Sequence, residues 1–124
     1  LVLGNNTHGE CVAIGCEVAS YISMRMGLLS TMEYENICSI IHYLNPDFTY
    51  PENCRDDEEL TDLIFAKVKC DNKRGYLQEK AGHTPMILIN SIGHLHDPNE
   101  HFLDYVADDL VREGIIMGMK KFII

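Results

Sequence analysis

Residues 9–26 are almost all apolar or small, including Val12, Ala13, Ile14, Cys16, Val18, Ala19, Ile22 and Met24. The run is too long for a strand and its apolar positions fall on more than one face, which predicts a helix buried on most sides. Gly27 supplies its C-terminal stop. Gly15, inside that helix, costs about 1 kcal/mol relative to alanine and is expected where another backbone approaches closely. Ser30 precedes Glu33 by three, a capping-box pattern. The helix it opens carries Ile37, Ile40, Ile41 and Leu44 on one face and ends before Pro46. A loop with two prolines covers residues 45–55. The next helix begins at Asp56 or Asp57, with acids in its first turn and Lys67 and Lys69 in its last, matching the helix dipole. Its buried stripe is Leu60, Leu63 and Ile64, extended by Phe65 and Val68. Residues 70–85 are polar and irregular, and residues 86–89 are short, apolar and strand-like. A last helix is expected from Asp97-Pro98, with Phe102, Val106 and Leu110 inward and Gly114 at its end. The pattern gives a mainly α fold, one helical domain over residues 1–124 with a single short strand-like segment.

Composition narrows this reading. At 124 residues the chain can bury a modest single core, and 46% hydrophobic with 23% charged residues is an ordinary globular balance, not a disordered one. The net charge of -9 argues against a nucleic-acid backbone or an anionic membrane as partner. The acids gather at 52–59 and 97–109, as solvated helix starts and faces, so an anionic substrate needs a local basic group. Five cysteines form no CxxC pair. Cys11, Cys16 and Cys38 lie in apolar helical patterns, where a free thiol behaves as a small hydrophobe. A reducing, cytoplasmic setting follows rather than a disulfide scaffold. No apolar run reaches the roughly 18 residues of a membrane span, and the tail 115–124 is broken by Gly118, Lys120 and Lys121. The chain opens at Leu1 in the middle of an apolar stretch, as a fragment of a larger protein does.

Two constellations carry chemistry. His8-Gly9-Glu10 stands where the first helix begins. The positive end of the helix dipole disfavours imidazolium there, leaving the neutral ring that binds a metal or accepts a proton. Glu10 suits the same dipole and can orient a ligand. The same residues also read as a plain polar helix start, with Thr7 as cap. Asp71-Asn72-Lys73-Arg74-Gly75-Tyr76 places two cations and a glycine after a helix C-terminus, a possible phosphate cradle or a charged surface turn. His83 and His101 stand near His94-x-His96, a possible chelate that no close cysteine or carboxylate completes at a familiar spacing. His42 reads as a partly exposed helical histidine. No phosphate-binding glycine loop, GxSxG or HExxH is present.

Taken in order, Thr7-His8-Gly9-Glu10-Cys11-Val12-Ala13-Ile14-Gly15, Met26-Gly27-Leu28-Leu29, the basic turn 71–76, Met86-Ile87-Leu88-Ile89 and Ile92-Gly93 resemble dehydroquinate synthase and its sugar-phosphate cyclase relatives. The resemblance runs from about Leu3 to Gly114. Dehydroquinate synthases usually carry Asp-Lys-Lys in the second motif. Asn72 followed by Lys-Arg-Gly-Tyr is similar to the 2-deoxy-scyllo-inosose synthase branch, which cyclises glucose 6-phosphate. The resemblance implies the helical C-terminal domain of a lyase that uses NAD and a zinc or cobalt ion. In that chemistry a hydroxyl is transiently oxidised, phosphate is eliminated, and an intramolecular aldol addition closes the carbocycle. It implies His8 as one of three metal ligands, Lys73 as a catalytic and substrate-phosphate residue, Arg74 and Asn72 as substrate contacts, and Glu10 in a supporting catalytic role. The expected partners are a phosphorylated sugar, the protein's own N-terminal NAD-binding α/β domain and, in the full-length form, a second copy as a homodimer. The isolated chain is expected to be inactive. Dehydroquinate synthase of the shikimate pathway is the alternative enzyme, and a non-catalytic oligomerisation or binding module the alternative of another class.

Overall fold

The computed structural model describes residues 6–44, 56–70, 80–99 and 101–120. Helix α1 spans His8–Arg25, opened by a complete capping box. Thr7 Oγ1 accepts from the Glu10 N–H at 3.2 Å, and Glu10 Oε2 accepts from the Thr7 N–H at 2.7 Å. Gly27, at φ +76°, carries the chain out of the helix in a conformation that favours glycine.

The helix is less enclosed than its composition predicts. Cys11, Ile14, Val18 and Ile22 are buried, whereas His8, Val12, Gly15 and Cys16 are exposed. A Cβ built on Gly15 meets nothing within 4 Å, so no backbone approaches there. The close approach belongs to α4 (Asp108–Met119), where a Cβ on Gly114 falls 2.8 Å from Ile22 Cγ1 and one on Gly118 falls 2.6 Å from Val18 Cγ2. Two glycines one turn apart on α4 let it settle directly on the Val18–Ile22 ridge of α1.

Helix α2 (Thr31–Tyr43) is capped by Ser30, whose Oγ accepts from the Glu33 N–H at 3.1 Å. Its buried edge is Tyr34, Cys38 and Ile41 with Ile37 packed against the same cluster, so of the expected face Ile37, Ile40, Ile41 and Leu44 only Ile37 and Ile41 turn inward. Ile40 and Leu44 are 60% and 69% exposed. Tyr34 decides the rotation: it packs edge-on against Tyr21 of α1 at 6.0 Å between ring centroids and joins Leu29 and Cys38 in a small second cluster. Helix α3 (Asp57–Lys69) follows its sequence pattern. Asp56 caps it, Leu60, Thr61 and Ile64 are buried, and Leu63, Phe65 and Val68 pack around the core.

Four short strands are described: β1 (His83–Met86), β2 (Ile89–Ser91), β3 (His94–Leu95) and β4 (Asp104–Ala107). β1 pairs antiparallel with β4, Thr84 opposite Val106, and β2 pairs antiparallel with β3, Ile89 opposite Leu95. The expected helix from Asp97 to Gly114 is therefore corrected. Residues 97–99 and 101–103 are neither helix nor strand; there Asn99 donates to the Leu103 carbonyl and accepts from the His101 and Leu103 N–H groups. Residues 104–107 form a strand, and the helix starts at Asp108 and passes through Gly114. The four-residue spacing of Phe102, Val106 and Leu110 imitates a helical stripe. In fact Phe102 is exposed at φ +58°, Val106 is a buried strand residue, and Leu110 lies in the first turn of α4. Ile22, Leu60, Leu88, Val106, Val111 and Ile115 form the buried centre, shared by α1, α3, α4 and β4 with the segment between β1 and β2. The fold is mainly α, as expected, and no described helix is long and apolar enough to cross a membrane.

Candidate functional site

His8 is the first residue of α1 and its side chain is exposed, beside the unpaired N–H groups of the first turn. Glu10, two residues on, is held by the cap: its carboxylate accepts from the Thr7 N–H. That bond closes the capping box at the entry of the chain into α1. Glu10 is thus part of the capping box, and His8 is left exposed. Among the described residues no group of three or more His, Cys, Asp or Glu side chains stands together as a metal site. His8 stands outside any such group among the described residues. Asn72, Lys73 and Arg74 lie outside the described residues, with the rest of the basic turn.

The segment leading into that turn is firmly anchored. Lys69, the last residue of α3, donates to the His83 carbonyl at 2.9 Å, to Thr84 Oγ1 at 3.1 Å and to Asp108 Oδ1 at 3.0 Å. Thr84 Oγ1 donates to Asp108 Oδ1 at 2.7 Å. Burial by itself raises the Asp108 carboxyl, but the hydrogen bonds from Thr84 and Lys69 and the Lys69 charge outweigh it and hold the group below its ordinary value. One cation thus ties α3, β1 and α4 together, using all three of its protons.

Two further polar pairs stand apart from the expected site. Glu17 is fully buried in α1, and His42 Nε2 of α2 lies 3.7 Å from its Oε1. His96 Nδ1 lies 2.9 Å from both oxygens of the buried Asp104. Neither pair is visible as a motif, because the partners are far apart in sequence or sit in what reads as a helix. A glutamate inside an apolar helical run is the one signal that marks Glu17. Of the cysteines assigned to apolar packing, Cys11 and Cys38 are buried, whereas Cys16 is exposed.

No family model matches the sequence. The chain is 28% identical over 116 residues to 2-deoxy-scyllo-inosose synthase of Niallia circulans, covering 94% of this chain and 30% of that protein. It is 33% identical over 90 residues to the synthase of the same name from Streptomyces lividus, covering 73% of this chain and 22% of that one. It is also 26% identical over 115 residues to 3-dehydroquinate synthase of Campylobacter hominis, covering 93% of this chain and 28% of the other. Among solved structures, a crystal structure of 2-deoxy-scyllo-inosose synthase complexed with carbaglucose-6-phosphate, NAD+ and Co2+ matches with a TM-score of 0.73 and 28% identity. The match covers 90% of this chain and 29% of that structure. The chain thus spans at most about three tenths of the length of the relatives it matches.

Proposed function

From the kinship of this chain with the dehydroquinate synthase-like cyclases, shown by its sequence and its fold, we propose that it is the metal- and substrate-binding part of a sugar-phosphate cyclase. The reaction assigned to the whole enzyme is that of 2-deoxy-scyllo-inosose synthase on glucose 6-phosphate, a carbon–oxygen lyase step followed by ring closure. The carrying observation is the likeness to a synthase that binds carbaglucose-6-phosphate, NAD+ and Co2+. The Asn72-Lys73-Arg74-Gly75-Tyr76 turn supports the same branch.

In this reading His8 is one ligand of a zinc or cobalt ion. Its exposed imidazole at a helix N-terminus fits that role, and the other ligands come from polypeptide beyond the described residues. A bound metal would supply Lewis-acid polarisation of substrate oxygens, and bound NAD a transient hydride acceptor. The chain's own residues do simpler work. His8 offers a ring nitrogen, and Glu10 closes the cap at the helix start that carries it. Lys73, with Arg74 and Asn72, neutralises the sugar phosphate within an otherwise acidic chain. An N-terminal NAD-binding domain, a homodimeric assembly and a cytoplasmic location complete the proposal, with residues 1–124 as one helical domain that is inactive alone.

Supplying the enzyme that carries this chain with NAD+, Co2+ and glucose 6-phosphate tests it directly. Carbocycle formation is expected from glucose 6-phosphate and not from the seven-carbon heptulosonate phosphate, and the reverse preference assigns the dehydroquinate branch instead. His8→Ala is expected to abolish the metal-dependent reaction. Full turnover in that variant removes His8 from the site.

A further inference from the structure

We propose that His94 and His96 form a second binding site for a divalent transition-metal cation such as zinc, with buried Asp104 as the residue that orients His96. The proposal does not depend on the role given to His8.

The argument begins with backbone geometry. His94 and Leu95 form β3, and the His96 N–H donates to the Leu88 carbonyl at 2.9 Å, so pairing continues through His96. Side chains two apart on extended backbone project to the same side, with Cα atoms about 6.6 Å apart at the strand rise. Two imidazoles at that spacing can reach one ion. Asp104 then sets which nitrogen is offered. It is only 6% exposed at the first position of β4, and both its oxygens lie 2.9 Å from His96 Nδ1. A carboxylate in that position accepts a hydrogen bond from Nδ1–H, fixes the tautomer and leaves the Nε2 lone pair for a metal. Asn99 bonds the Leu103 carbonyl and N–H, tying the residue before Asp104 to the segment that follows His96. The site is a two-imidazole one. Among the described residues no third donor completes a cluster, so water or a bound ligand fills the remaining positions.

The competing role for the pair is a latch, in which His96–Asp104 merely closes the loop. His96→Asn separates the two, because the asparagine amide nitrogen stands where Nδ1 stood and can still donate to Asp104, while Nε2 is gone. The test is a calorimetric titration of the 124-residue chain with zinc chloride after chelator treatment. One equivalent of zinc is expected to bind at this site in the parent chain and in His8→Ala alike. His94→Ala and His96→Asn should each weaken that binding at least about tenfold, and Asp104→Asn by about 10- to 100-fold. His94 is exposed, so His94→Ala should melt like the parent in chelator, which keeps the test valid if a variant at Asp104 fails to fold. Absence of zinc binding, parent-like affinity in His94→Ala or His96→Asn, or loss of binding in His8→Ala alone overturns the proposal.

Discussion

Asp108 shows how much of this fold hangs on single polar residues. Its carboxylate receives the Lys69 ammonium and the Thr84 hydroxyl, and these hold it ionised below its ordinary value of 3.8. A depressed carboxyl adds stability that is fully present above that value and is lost as pH falls through the lower folded value. Asp108→Asn should therefore cost about 1 to 2 kcal/mol at neutral pH, a figure kept small because Lys69 is partly solvated. It should also flatten the acid side of the stability profile, where pH falls through and below the ordinary carboxyl value of 3.8. Urea midpoints across that range measure both effects, and a variant with the parent's acid slope removes Asp108 from the account. At the other end of the molecule, Thr7→Ala should cost about 1 kcal/mol by opening the capping box. His8→Ala, on an exposed side chain, should stay within about 0.5 kcal/mol of the parent. The contrast marks what sequence can reveal. The Thr7–Glu10 and Ser30–Glu33 caps are legible because their partners are three residues apart, whereas Lys69 and Asp108 are separated by 39 residues and meet only once the fold is formed.

At the level of elements, the glycines of α1 and α4 behave in opposite ways. Gly15 has open space around it, so Gly15→Ala should stabilise the chain by about 0.5 to 1 kcal/mol through helix propensity and a less entropic unfolded state. A methyl group on Gly118 lands 2.6 Å from Val18 Cγ2, on a branched side chain with little room to turn, so Gly118→Ala should destabilise by about 1 to 3 kcal/mol. Thermal melts of the two variants move in opposite directions if α4 sits on α1 as described, and equal shifts contradict that packing. The sequence places a helix at α1, α2 and α3 because periodicity, caps and terminal charges agree there. It misplaces α4 because strand β4 and the helix after it share apolar residues at a four-residue spacing, while the acids that mark the true start, Asp108 and Asp109, read as part of one long acidic helix. Which glycine permits close approach is likewise invisible until α1 and α4 are docked. The basic turn is a legible motif whose geometry lies outside the described residues, so of the expected site only His8 and Glu10 can be followed from sequence into structure.

Over the whole molecule, the balance between apolar surface and charge sets how the chain behaves alone. Helix α2 buries its Tyr34–Cys38–Ile41 edge and leaves Met32, Ile40, Tyr43 and Leu44 exposed at 73%, 60%, 88% and 69%. On a helical wheel these four fall within about a third of the circumference, shared with Glu33 and Asn36, so they make one side rich in apolar residues. Val12, 47% exposed, adds to the uncovered side of α1. Such faces favour association between copies. The net charge of -9 opposes it, since every copy carries the same sign. The two effects respond differently to salt: at about 0.15 M the Debye length is roughly 8 Å, and repulsion between approaching copies is screened, whereas apolar burial is not weakened. The chain should therefore self-associate in a concentration-dependent way, and more strongly as sodium chloride is raised. Ile40→Lys combined with Leu44→Lys should return it toward monomer even though these changes reduce the net negative charge. Sedimentation velocity over a range of concentration and salt reads this out. A monomer at every condition, or association that weakens with salt, would show that the α2 face does not drive contact between copies.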